Sequence, residues 1–276
     1  MEAIQAGLRG VLRLFFAVII ICAFFITAFI LKLRHKSDLR ARRLAYIANV
    51  QRHCGLLVRL CNVQVRVKGS PVAGTNFLYV GNHMGFVDIF VVSALVPALF
   101  ITSQEMRETP VLGDLCEMAG CIFVERRSRT KIMGELNVLV DALKQGFNIV
   151  LYPEATSSNG EKILPFKKTL MMSGPHAGKP IQPACINYLE VNGEEFSLKW
   201  RDHVCWYGDM PFTTAMWNML TTKSVTAELE FLEPIYANAE TNRSEVANQA
   251  FHSINSRFRP VVTRPEAVDV GVAEES

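Results

Sequence analysis

The hydrophobic positions of this chain follow three regimes: one stretch apolar all round, several with a helical period, and several that alternate. From Leu14 to Leu31 eighteen successive residues carry no charge (LFFAVIIICAFFITAFIL). At 1.5 Å per residue this is about 27 Å of helix, close to the ~30 Å hydrocarbon core of a bilayer. Extension to Leu33 adds only Lys32, whose ammonium can reach the headgroups. A signal peptide has a shorter apolar region, ~7–15 residues, before a small-residue cleavage site. Here the run meets Lys32, Arg34, His35, Lys36, Arg40, Arg42 and Arg43 instead. The pattern predicts a retained transmembrane helix over about 14–33.

Beyond it, residues 38–60 carry Leu44, Ile47, Leu56, Leu57 and Leu60 among arginines, which predicts a basic amphipathic helix at the membrane interface. Val63, Val65 and Val67 alternate with polar residues and predict a strand. Further strands are expected at 77–80, 120–124, 147–152, 181–188 and 225–232. Helices are expected from Asp88 to Leu99, from Lys131 to Gln145 (stopped by Gly146) and from Ser244 to Phe258. Strands alternating with helices make an α/β domain, a mixed sheet flanked by helices. The expected organisation is a membrane anchor at 1–37, the basic helix at 38–60, one α/β domain at 61–259 and a flexible tail at 260–276, which lacks periodicity.

Charge and composition add little until they are placed. The net charge of +3 gives no reason to expect a nucleic-acid partner. The cluster of cations after the apolar run suits anionic lipid headgroups, and positive flanks favour the cytoplasmic side, so a single-pass protein with a cytoplasmic domain is expected. Seven cysteines, an odd number without a C-x-x-C pair, read as reduced and mostly packed thiols.

The strands point to the chemistry. His83 and Asp88 follow the 77–80 strand, five positions apart. On one regular helix they would point about 140° apart. They meet only if His83 sits in a turn and Asp88 in the first turn of the next helix. Then the carboxylate can set the imidazole tautomer and stabilise its protonated form. Arg126 follows the 120–124 strand and could offer a planar cationic fork to an anion. Glu154 follows the 147–152 strand within Pro153-Glu154-Ala155-Thr156-Ser157, with Phe166-Lys167-Lys168 placing cations close in sequence. In open sheets, sites form beyond the carboxyl ends of strands, which makes one shared site plausible.

In this order the segments resemble the lysophosphatidate acyltransferase family, the phospholipid/glycerol acyltransferases. Its N-H-x4-D motif is matched by Asn82, His83 and Asp88. Its G-x-x-F-x-x-R motif is matched by Gly120, Phe123 and Arg126. Its P-E-G-T motif is matched by Pro153, Glu154 and Thr156, with Ala155 replacing the glycine. Its F-K-K segment is matched by Phe166, Lys167 and Lys168, and a proline-containing strand loosely by Pro180 and Pro183. The resemblance spans roughly residues 60–235. It implies transfer of a fatty acyl group from acyl-CoA or acyl carrier protein to a lysolipid hydroxyl, with His83 as base, Asp88 orienting it, the other motif residues binding substrate, and no metal or cofactor. The first expected acceptor is 1-acyl-sn-glycerol-3-phosphate. Many phosphatidate-forming members carry arginine directly after the motif threonine, however, and here that residue is Ser157. This makes lyso-ornithine lipid or another lysophospholipid the alternative acceptor. Two other classes compete. A hydrolase would need a nucleophile, and no G-x-S-x-G elbow occurs. A metal-binding or scaffolding membrane protein could use His83, Asp88 and Glu154 as ligand or packing groups, but His35, His53, His176, His203 and His252 form no ligand array with them.

Overall fold

The computed structural model describes residues 1–125 and 132–261. Its first element, α1 (Glu2–Arg34), is one helix of 33 residues, long and apolar enough to cross a membrane. A single stripe, Gly10, Arg13, Ala17, Phe24 and Ala28, is buried, while Phe15, Phe16, Val18, Ile19, Ile26 and Phe29 face outward. The helix is therefore packed along one side and bare on the other. After a short turn, Asp38 caps α2 (Leu39–Leu60) by accepting from the Ala41 amide at 2.9 Å. α2 returns against α1, joined to it by Thr27 Oγ1 donating to Asn49 Oδ1 at 2.8 Å.

The inward face of α2 is not the expected row of leucines. Tyr46, Ile47, Asn49 and His53 are buried, whereas Leu44 and Leu56 are exposed. The physical reason is that α2 packs between α1 and α3, so it needs two packed sides and carries polar groups that find partners on α1.

The remaining elements run β1 (Val63–Lys68), β2 (Leu78–Gly81), α3 (Phe86–Leu95), β3 (Leu99–Ser103), α4 (Gln104–Arg107), α5 (Leu112–Met118), β4 (Ile122–Val124), α6 (Ile132–Lys144), β5 (Ile149–Leu151), α7 (Ser173–Ala177), β6 (Ile181–Val191), β7 (Glu194–Glu195), α8 (Phe212–Thr221), β8 (Val225–Phe231) and α9 (Arg243–Asn255). The described strands form one mixed sheet in the order β1-β8-β6-β2-β5-β3-β4, with β7 on the edge of β6. β6 and β8 are antiparallel. β2, β5, β3 and β4 run parallel, so their carboxyl ends share one edge of the sheet.

The apolar run expected as a helix to Leu99 instead breaks before Pro97, and Leu99 opens β3. A proline disfavours helical backbone at the residue before it; Val96 is extended (φ −111°, ψ 114°). The short helices α4, α5 and α8 were not expected from the pattern. Of residues 260–276, expected as a tail, only 260 and 261 are among the described residues; Val261 is buried and its amide donates to the Gly160 carbonyl at 2.8 Å.

α1 is fastened to α8. The Arg13 guanidinium donates to the carbonyls of Leu220 (3.3 Å), Thr222 and Lys223 (3.3 Å), and Arg9 Nε to Thr221 at 3.1 Å. Two cations thus satisfy the orphan carbonyls at the negative end of a helix. The approach is close: a Cβ at Gly10 would stand 2.8 Å from Thr221 and 3.0 Å from Trp217.

Candidate active site

The chain leaves the carboxyl end of β2 through Asn82-His83-Met84-Gly85 and enters α3, which puts His83 in the turn and Asp88 in the first helical turn. The two side chains meet: His83 Nδ1 lies 3.0 Å from Asp88 Oδ2. Asp88 is fully buried. Its Oδ2 also accepts from the amides of Met84 (2.5 Å) and Gly85 (2.9 Å), and its Oδ1 from the Tyr188 hydroxyl. A carboxylate only accepts, so His83 Nδ1 donates and Nε2 is left with the lone pair that can take a proton. Burial, then the nearby Asp88 charge, pushes the Tyr188 hydroxyl well above its ordinary pKa, which keeps it a donor.

Three other segments fix the turn. The His83 ring stacks on Tyr152, with centroids 4.3 Å apart and planes within 13°. Glu154 bridges two strand exits: Oε1 accepts from the His83 amide and Oε2 from the Leu164 amide, each at 2.7 Å. Burial raises the Glu154 carboxyl to about 7, although both amides favour its charged form. The Ser158 amide donates to the His83 carbonyl and the Trp206 amide to that of Met84, both at 2.8 Å. That last approach requires Gly85, where a Cβ would stand 2.7 Å from the Val204 carbonyl.

His83 opens onto an apolar cavity of about 660 Å³. Its walls come from α1, α2, α3, β3, α5 and α8. Tyr152, Ala155, Thr156 and Ser157 line it with His83, as do Trp206 and Tyr207. Among the described residues no lysine or arginine side chain lines it.

The other expected site residues divide. Ala155 is in the left-handed region (φ 63°), the conformation that favours the glycine it replaces. Asn82 is buried, and its amide exchanges two 2.9 Å hydrogen bonds with the Ile186 backbone. It ties the turn to β6 and does not line the cavity. Gly120 (φ 75°) ends α5 against Tyr46, and Phe123 carries the Arg107 guanidinium 4.2 Å above its ring; neither lines the cavity. The Lys167 amide donates to the Pro153 carbonyl at 2.8 Å, but its side chain is exposed and does not line the cavity. Arg126 lies outside the described residues. Tyr152, Tyr188 and the 204–208 segment were missed in the sequence, because their partners lie up to 122 residues away from them in the chain. A tyrosine in an apolar strand, as at 152 and 188, was the available signal.

Among the described residues no cluster of His, Cys, Asp and Glu is arranged to hold a metal. The geometry instead presents one oriented imidazole at the end of an apolar cavity, beside a carboxylate that can stabilise its protonated state. That can deprotonate a hydroxyl next to a long apolar group.

The comparisons with known proteins agree with this chemistry. Residues 62–187 match the model of the acyltransferase family. A lyso-ornithine lipid O-acyltransferase of Brucella abortus is 32% identical over 200 residues, covering 70% of this chain and 74% of that protein. A 1-acyl-sn-glycerol-3-phosphate acyltransferase of Neisseria gonorrhoeae is 31% identical over 163 residues, 59% of this chain and 62% of that one. The crystal structure of the 1-acyl-sn-glycerophosphate acyltransferase PlsC from Thermotoga maritima shares the fold, with a TM-score of 0.66 and 21% identity over 94% of this chain and 96% of the other. With the ordered motifs in sequence, the oriented His83–Asp88 pair in space and these relatives, the chain belongs to the lysophosphatidate acyltransferase family.

Proposed function

We propose that the protein moves a fatty acyl group from a thioester, acyl-CoA or acyl carrier protein, to the free hydroxyl of a lysolipid. The observation that carries this is the His83–Asp88 pair facing a cavity large enough for an acyl chain. In the reaction His83 Nε2 takes the hydroxyl proton while the oxygen attacks the thioester carbonyl. The tetrahedral intermediate collapses, the carbon–sulfur bond breaks, and the thiolate leaves, collecting the proton from the imidazolium. Asp88 stabilises that imidazolium throughout. A thiolate is a good leaving group, so the step needs no metal or cofactor. The acyl chain of the donor lies in the apolar cavity.

The exposed face of α1 is embedded in lipid, and the cations around residues 32–43 set the domain on the cytoplasmic side. Because α1 is fastened to α8, this burial brings the cavity to the bilayer that holds the acceptor.

Two acceptors remain, 1-acyl-sn-glycerol-3-phosphate and lyso-ornithine lipid. A specific observation favours the second. The Ser157 hydroxyl, standing where many phosphatidate-forming members carry arginine, donates to the Trp206 carbonyl, so this position offers no cation to a phosphomonoester. The length of the alignment with the Brucella protein supports the same reading. The test is acylation by the purified protein, with acyl-CoA and acyl carrier protein donors, of a panel holding both acceptors. Transfer to lyso-ornithine lipid above lysophosphatidate is expected, and lost in His83→Ala. A strong preference for lysophosphatidate reverses the order of acceptors; no transfer to any lysolipid overturns the function.

A further inference from the structure

The mechanism above leaves unused one polar side chain on each of two helices that wall the apolar cavity, α2 and α3. His53, on α2, is buried and lines the cavity. Its Nδ1 lies 2.8 Å from the Asn49 carbonyl. A carbonyl can only accept, so in the neutral ring Nδ1 carries the proton and Nε2 is a bare acceptor. Among the described residues Nε2 meets no hydrogen-bond partner. The ring is held edge-to-face by Phe24, centroids 5.6 Å apart and planes at 77°, which fixes it against the α1 wall. The second group is Ser93, on α3, only 2% exposed and also lining the cavity. Its hydroxyl is buried, and the group it meets is the Cys54 thiol, the residue after His53 and a weak hydrogen-bond partner.

An acceptor left unmet and a hydroxyl met only by a thiol cost free energy in a low-dielectric site, which a matched ligand group recovers. The ligand group is constrained by the walls. No lysine or arginine side chain lines the cavity among the described residues, so an anionic group would enter without a counter-charge. A bare Nε2 asks for a donor. A water molecule needs two to four polar partners to settle; a hydroxyl carried on an alkyl chain needs fewer, because its carbons fill the apolar volume. We infer that His53 and Ser93 form a subsite for a neutral hydroxyl borne partway along the donor's acyl chain, so that the enzyme selects hydroxylated acyl groups. This rests on the reading that the donor chain occupies the cavity.

The experiment uses the full-length purified protein and two readouts. Binding is measured by displacement of a fluorescent fatty acid with stearate and with hydroxystearates whose hydroxyl is scanned along the chain. Transfer is measured with the corresponding thioesters. One hydroxyl position should bind better, relative to stearate, than its neighbours. In His53→Phe, which keeps the ring and removes the acceptor, the ratio for that isomer over stearate should fall roughly three- to tenfold, the size of one neutral hydrogen bond. His53→Gln, which restores an acceptor, should recover part of the ratio, and Ser93→Ala should lower it even if the His53→Phe protein does not fold. The inference is overturned if no hydroxyl position is distinguished in the wild type, or if the ratio is the same in the wild type and both Phe and Ala variants. Binding without transfer from any donor leaves the subsite standing and overturns the catalytic reading instead.

Discussion

Around Asp88, His83, Met84, Gly85 and Tyr188 all aim donors at one buried carboxylate. In the cavity wall, one ring nitrogen of His53 meets no partner among the described residues, and the Ser93 hydroxyl meets only the Cys54 thiol. Both regions are walled by the same helix, α3, and the contrast is one of task. The turn must hold one imidazole in one tautomer at one place, so both oxygens of the carboxylate beside it are met by donors. The cavity must admit a flexible chain, so its walls are shaped by apolar packing, and the His53 ring leaves one nitrogen open towards it. Substitutions in the turn should therefore change how fast transfer occurs, and substitutions in the wall should change which chain is transferred.

The sharpest way to break that division is His83→Ala. Loss of a general base lowers the rate by ~10²–10⁴-fold. We expect kcat to fall by that factor with the melting temperature and membrane association retained. A folded variant with near-wild-type turnover would falsify the mechanism.

Next in size is the pH dependence of Glu154. Its carboxyl is raised to about 7 by burial, against an ordinary value near 4.3. A raised folded value means the folded chain holds the proton more tightly. This contribution to stability is full below about pH 4.3 and is lost as pH rises through about 7, a change of about 3 kcal/mol. Denaturation of wild type and Glu154→Gln at pH 4 to 8 isolates it, because the glutamine cannot titrate. The stability gap between the two should move by that amount, with the wild type losing ground as pH rises. A constant gap means that Glu154 titrates near its ordinary value.

Tyr188→Phe probes the same turn from β6. It removes one donor from a buried carboxylate, and such a charged hydrogen bond contributes ~1.5–3 kcal/mol. We expect a stability loss in that range by urea denaturation, with a fall in kcat as Asp88 is loosened. A loss under about 0.5 kcal/mol would show that the remaining donors hold Asp88 without it.

The sequence revealed much of the turn and little of the cavity, for a physical reason. His83 and Asp88 are local to each other, and a strand exit followed by a helix start leaves them one way to meet. Glu154 and Ala155 could be placed at the same sheet edge because parallel strands put their exits together. Asn82 and Gly120 were legible as motif residues, but their work is backbone bridging and helix termination, which no motif spells out. The cavity depends on which side of α1 is packed, and an all-apolar run carries no such information. Arg9 and Arg13 precede the apolar run, and nothing in that position tells that their side chains cap α8. His53 was set aside because it belongs to no ligand array; only the fold shows that its ring faces open space. Arg126 lies outside the described residues, so its expected anion contact is still a proposal.

A wall substitution tests the other half of the contrast. Ala17 is buried on α1 and lines the cavity. Ala17→Leu adds volume there without touching the turn. Each methylene buried in an apolar site contributes ~0.8 kcal/mol, about fourfold in affinity. We expect the preferred acyl chain to shorten, with long-chain donors losing about fourfold in kcat/KM for each methylene displaced. Equal loss for every chain length would mean that α1 positions the turn as well as the chain.

Ala155 stands where the two regions join, in the Glu154 loop and in the cavity lining. Its left-handed backbone (φ 63°) costs an L-residue roughly 1–2 kcal/mol relative to glycine. Ala155→Gly relieves that strain but adds backbone freedom to the unfolded chain, an opposing effect of about 0.4–1 kcal/mol. The net expectation is a stabilisation of about 1 kcal/mol or less, a rise of roughly 2–4 °C in melting temperature for a chain of this size. A fall of similar size would mean that the methyl group packs usefully against the cavity, placing Ala155 with the wall. A rise accompanied by an unchanged chain-length preference places it with the turn, where backbone geometry outweighs side-chain packing.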